Sequence, residues 1–178
     1  SFRPGARFGP SAIRKASWGI ETYSPYFGRD LNQLSLHDMG DLELPLGEKK
    51  ASLDIIRKAA HKIVSQRKFP IALGGDHLIA LPILEEVLRV YPNLHLLQVD
   101  AHMDLREDYL GETLSHCTVI KRLINGLGKG RLHQIGIRSG TENEFKLARK
   151  LRSIVYPDRD SLRLMVKRLR NQPVYITV

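Results

Sequence analysis

Leu94 to Glu107 reads LHLLQVDAHMDLRE. The first half is an apolar run of strand length, of the kind that a parallel sheet buries on both faces. The second half alternates Asp100, His102 and Asp104 at every second position. If strand geometry persists past Val99, the alternation puts these three side chains on one side, at steps of about 6.5 to 7 Å, and a local bend can bring them to one centre.

Working outward, the flanks alternate strand and helix signals. Upstream, IALPILEEVLRVY (79–91) predicts a helix ended before Pro92. Before it, FPIALGG (69–75) reads as a short buried strand stopped by Gly74 and Gly75. SLDIIRKAAHKIVSQRK (52–68) places Leu53, Ile56, Ala60, Ile63 and Val64 on a helical stripe, with Ser52 as N-cap. Downstream, RLHQIGIRS (131–139) predicts a strand after a Gly-rich loop, ENEFKLARKLR and SLRLMVKRLR predict helices, and PVYITV (173–178) a closing strand. Residues 1–50 show little periodicity. Within them GPSAIRKAS suggests a short helix with Pro10 in its first turn, and LHDMGDLELP a short strand and turn. Short apolar strands alternating with helices predict an α/β fold with a mainly parallel sheet, in a single domain spanning 1–178. In such sheets ligands bind beyond the carboxyl ends of the strands. There the polar residues gather: Gly74-Gly75-Asp76-His77, Asp100 to Asp104, and Arg138-Ser139.

Composition narrows the function classes. The 178 residues are 42% hydrophobic, which argues against disorder, and no apolar run approaches the roughly 20 residues of a membrane span. The net charge of +9 raises nucleic acid as a partner. The basic residues are nevertheless dispersed, falling at helical spacing or in loops and without interleaved aromatics, so a solvated face is the expectation. One cysteine, Cys117, permits no internal disulfide and fits a reducing, cytoplasmic setting. The chain opens on SFRPGARFGP without a Met and closes on PVYITV without a turn, which suggests a domain truncated at both ends.

Asp and His together suit a divalent metal of intermediate hardness, and the carboxylate content leans toward manganese. D-x-H-x-D alone fits a solvated strand end as well as it fits a metal site. With GGDH ending the preceding strand the metal reading takes precedence, and His77 becomes a fourth candidate ligand. Asp76 is read as orienting the site from behind, with a turn-forming role as close competitor. His61 is expected on the surface, and His95 and His133 packed within strands. His37 receives no role, and Cys117 is read as a small packing residue.

GGDH, VDAHMDLRE and SHCTVIKR in this order, with GIRSG downstream and SFRPGARFGPSAIRKAS at the start, resemble the ureohydrolase family of arginases and agmatinases. DLREDYLGETLSH looks closest to the bacterial agmatinase branch. The resemblance covers essentially the whole chain. It implies a three-layer α/β/α fold and two Mn²⁺ ions bridged by hydroxide. His77 and Asp104 would bind one ion, His102 the other, and Asp100 would bridge both. It further implies a D-x-D on the strand of PVYITV, expected immediately after Val178, so residues 1–178 by themselves should bind manganese poorly and have little or no activity. Hydroxide would attack the guanidinium carbon, and His116 would transfer a proton or contact substrate. Arg138 and Ser139 are expected to hold loop architecture or a subunit contact, and Arg3, Pro4 and Gly5 to shape the site rim. The implied reaction is hydrolysis of agmatine to putrescine and urea, by a homo-oligomer (trimer or hexamer). The alternatives are an arginase or other guanidino-acid ureohydrolase, and, in another class, an inactive family member with a binding or structural role.

Overall fold

The structure is a computed structural model that describes residues 5–178; Arg3 and Pro4 lie outside the described residues. Its centre is a four-stranded parallel sheet in the order β5 (Ile154–Val155), β4 (Leu132–Ile135), β3 (His95–Val99), β6 (Val174–Thr177). β3 has a neighbour on each side, with Leu96 opposite Leu132 and Tyr175, and its fully buried side chains, Leu96 and Gln98, alternate along the strand. The architecture is α/β with a parallel sheet, as the alternation predicts.

The helices bury stripes set by their period. α2 (Lys49–Ser65) turns Leu53, Ile56, Ala60 and Val64 inward and packs on α3 (Ala80–Val90). α3 is buried at Leu81, Ile83, Leu84 and Val87, and it packs in turn on α4 (Val119–Leu127). A helix enclosed between two others has little use for a polar face. α5 (Glu142–Leu151) opens on a capping box formed by Thr141 and Glu144, and α6 (Arg159–Leu169) on Asp158. In the N-terminal third, α1 (Gly9–Ser17) is the short helix expected there, and β1 (Tyr23–Ser24) pairs antiparallel with β2 (Arg29–Asp30). No described helix is long and apolar enough to cross a membrane.

Three local expectations need correction. α2 begins three residues before Ser52, whose hydroxyl donates to the Pro45 carbonyl at 3.3 Å and does not cap. In LHDMGDLELP only the turn forms: Gly40 has φ +77° and donates its N–H to Asp38 Oδ1 at 2.8 Å, and no described strand lies alongside to make a ladder. FPIALGG is neither a strand nor buried. Phe69 and Ile71 are 83% and 69% exposed, because no described strand flanks this segment on the β6 side and Pro70 has no N–H to donate.

Candidate metal centre

His77 stands at the start of a single 3₁₀ turn, His77–Ile79, that feeds α3. Asp76 caps this turn, its Oδ1 accepting the Leu78 N–H at 2.9 Å. Burial pushes the Asp76 carboxyl up, while that hydrogen bond and, more weakly, the nearby His116 pull it down. The glycines before it serve close packing. Neither has a positive φ among the described residues, yet a Cβ on Gly75 would sit 2.1 Å from the Ala6 carbonyl oxygen, and one on Gly74 would sit 2.0 Å from Ile79 Cδ1.

The chain leaves β3 at Val99 and bends at once. Asp100 Oδ1 accepts the backbone N–H of His102 at 2.9 Å, a side-chain turn that ends the strand alternation. Asp104 then adopts φ +52°, a left-handed conformation that Asp tolerates better than most residues. Its flanking peptide groups are pinned. The Met103 carbonyl accepts from Gln134 Nε2 at 2.9 Å, the Asp104 carbonyl from Lys121 N–H at 3.1 Å, and the Leu105 N–H donates to Glu144 Oε1 at 3.0 Å.

These bends bring three of the expected ligands together. His77 Nδ1 lies 2.6 Å from Asp104 Oδ2 and 3.9 Å from Asp100 Oδ2, and the three ligand atoms lie within 4.8 Å of one another. Asp104 is buried; His77 and Asp100 are half-buried. The opposite ring nitrogen of His77 meets Thr177 Oγ1 of β6 at 3.0 Å. With the Nε2 proton donated there, the Nδ1 lone pair would be available to an ion lying between it and the carboxylates. Sequence reasoning missed Thr177, whose only signal is its place at the carboxyl end of the last strand. It also missed Glu144, legible only as the last residue of the T-x-x-E capping pattern TENE. Two carboxylates and one imidazole within this compass are a donor set that fits a divalent ion of intermediate hardness.

His102 is not gathered in. Its side chain is 66% exposed, with Nδ1 3.5 Å from Asp100 Oδ1, because the bend after Val99 removes the common side that strand alternation would have supplied. His116 opens a second 3₁₀ turn, His116–Thr118, that packs on the first. Its Nδ1 lies 3.3 Å from Ser115 Oγ and its ring meets Tyr109 edge-on at 5.5 Å. Cys117 is half-buried, with Sγ 3.7 Å from Ser115 Oγ.

The GIRSG segment holds the loop in place. The N–H groups of Arg138 and Ser139 both donate to the Ala101 carbonyl, at 2.9 and 3.0 Å. Gly136, at φ +83°, lets the backbone pass Asp100, whose carbonyl oxygen would lie 3.3 Å from an added Cβ. An open cleft bounded by Val99, Asp100, Ile135, Gly136 and Arg138 follows this carboxyl edge of the sheet. Of the remaining histidines, His61 is exposed and reaches the buried Glu86 at 3.0 Å, and His37 lies in an exposed loop. His95 and His133 stack in the sheet with ring centroids 5.3 Å apart.

The profile of the Arginase family matches residues 1–178. The agmatinase of Bacillus anthracis is 41% identical over 180 residues, a match covering all of this chain and 62% of that protein. The human mitochondrial guanidino acid hydrolase is 39% identical over 144 residues, covering 79% of this chain and 41% of that one. Among solved structures, a Clostridium difficile protein named as a candidate agmatinase superposes with a TM-score of 0.93 at 39% identity, over all of this chain and 65% of that one. The chain thus spans less than two thirds of the length of these relatives.

Proposed function

Because the chain belongs to the arginase family, we propose that this protein is a manganese-dependent hydrolase of a guanidino compound, converting agmatine to putrescine and urea. The observation that carries the reading is the convergence of His77, Asp100 and Asp104 at the carboxyl edge of the sheet. The similarity to the Bacillus agmatinase supports the choice of substrate.

His77, Asp100 and Asp104, with His102 as a further donor, would hold manganese, which when bound would supply the acidification of water that makes a nucleophile available near neutral pH. The rest falls to the protein's own groups. Thr177 holds the His77 ring in one orientation. Addition of water at the guanidinium carbon and cleavage of its bond to the alkyl nitrogen release urea and an amine, and the departing nitrogen needs a proton. His116, whose imidazole can both accept and give up a proton, is the residue we assign to hold that proton or to contact the substrate. Asp76, which caps the turn bearing His77, orients the site from behind.

The human relative favours a second reading, hydrolysis of a guanidino acid. Urea release by the intact, Mn²⁺-loaded protein distinguishes the two. Turnover of agmatine supports the first reading, and turnover of guanidinobutyrate or arginine in its place moves the activity to a sibling. No urea from any guanidino compound leaves the third reading, an inactive member with a binding or structural role. We further propose that residues 1–178 expressed alone bind Mn²⁺ weakly and turn over little substrate, since only three ligand groups cluster among the described residues. A homo-oligomer, trimer or hexamer, and a reducing cytoplasmic location belong to the same reading. Light scattering of the intact protein and its cellular fractionation test them.

A further inference from the structure

Directly beneath the loop that carries the candidate ligands runs a chain of buried side-chain hydrogen bonds from the residue before β5 through β4 to β3. Ser153, which precedes β5, donates its hydroxyl to Gln134 Oε1 at 2.7 Å. Gln134 in β4 donates from Nε2 to Gln98 Oε1 at 2.8 Å and to the Met103 carbonyl at 2.9 Å. Gln98 in β3 donates from Nε2 to the His102 carbonyl at 3.0 Å and, at a longer 3.4 Å, to Asp100 Oδ2. Gln98 and Gln134 are direct register partners. All three side chains are fully buried.

Every donor in this chain is spent, and all bonds run the same way. A hydroxyl outside the loop sets the orientation of one amide, that amide sets the next, and the second amide ends on the ligand loop itself. A buried primary amide is costly unless its donors and acceptor are met, and an apolar pair would fill these two inward positions at less risk. What the glutamines add is control of three groups on one loop: the carbonyls of His102 and Met103, and the Asp100 oxygen that faces His77. The Met103 carbonyl belongs to the peptide bond leading into Asp104, the residue held at φ +52°.

We propose that Ser153, Gln134 and Gln98 form a directional relay of positioning residues that sets the orientation of Asp100 and the backbone of Asp104 for metal binding. The proposal rests on the metal reading given above. Neither Gln134 nor Ser153 is among the candidate ligands, so their effect must pass through the loop.

The test is Mn²⁺ binding to the intact protein, followed by the electron paramagnetic resonance of free ion, alongside the melting temperature of the metal-free form. Gln134→Leu is expected to weaken Mn²⁺ binding about 10- to 100-fold, the range for partners that orient metal ligands. Ser153→Ala, one step further out and the milder change should Gln134→Leu fail to fold, is expected to weaken it less but measurably. A loss of affinity graded in this order, in variants whose metal-free melting temperature stays close to that of the parent, supports the relay. Unchanged affinity in a folded variant overturns it while leaving the metal reading intact. A parent protein that takes up no Mn²⁺ overturns both.

Discussion

His77 Nδ1 lies 2.6 Å from Asp104 Oδ2, across 27 residues of sequence. One partner sits on a turn entering a helix and the other on a loop leaving the central strand, so their meeting measures how precisely the carboxyl edge of the sheet is assembled.

Removing either partner should abolish tight metal binding by different routes. Asp104→Asn keeps a residue type that tolerates the left-handed backbone and deletes only the charge, whereas His77→Ala deletes the nitrogen donor. Calorimetric titration with Mn²⁺ should show affinity reduced roughly tenfold or more in each, exceeding the effect of an outer partner. Retained affinity in both removes this pair from the ligand set.

Glu144 serves two ends of one structure. It closes the capping box of α5, with Oε2 accepting from the Thr141 N–H at 2.8 Å, and its Oε1 holds the Leu105 N–H beside the candidate centre. Glu144→Ala leaves a buried donor unmet and opens the cap, at a cost of about 2–3 kcal/mol. Denaturant unfolding reads the loss, and a change below roughly 0.5 kcal/mol, typical of an unimportant surface site, contradicts the assignment.

The stacked pair His95 and His133, with Nδ1 of one 3.0 Å from Nε2 of the other, makes stability sensitive to acid. Burial, with the charges of His95 and Arg168, pushes His133 down to about 4. Burial, with Arg131, lowers His95 as well. An unfolded histidine titrates near 6.5, so between about pH 6.5 and 4 the unfolded chain binds more protons than the folded one. The contribution of His133 is therefore present in full above about pH 6.5 and is lost as pH falls toward 4, amounting to roughly 3 kcal/mol. Unfolding midpoints measured across this window should fall, and His133→Phe should flatten the dependence.

Gly75 admits the Ala6 backbone where a Cβ would lie 2.1 Å from a carbonyl oxygen. Gly75→Ala should detach the segment leading into α1 from the turn that bears His77. Limited proteolysis then cuts within Ala6–Ser17 faster than in the parent, while the far-ultraviolet spectrum changes little. Equal cleavage rates exclude the contact.

Much of this was legible in the order of residues. The apolar run ahead of Asp100 forms the strand its length and composition predict, and the helical stripe of Leu53, Ile56, Ala60 and Val64 appears as predicted. Candidate ligands could be named because carboxylate and imidazole at strand ends have few bland uses, and three of the four converge. FPIALGG was misread because a strand is a property of two neighbours, and its composition says nothing about whether a second strand lies alongside.

By itself, then, the sequence determined the periodicities, the parallel α/β class, the family, and the chemical character of the strand ends, all of which depend on residue type and local spacing. The tertiary structure alone decided which of the alternating residues face one another. The Asp100 side chain closes a turn on His102 N–H, and Asp104 turns left-handed under restraint from Gln134, Lys121 and Glu144. Those restraints come from residues 17 to 40 positions away, and no local pattern encodes them.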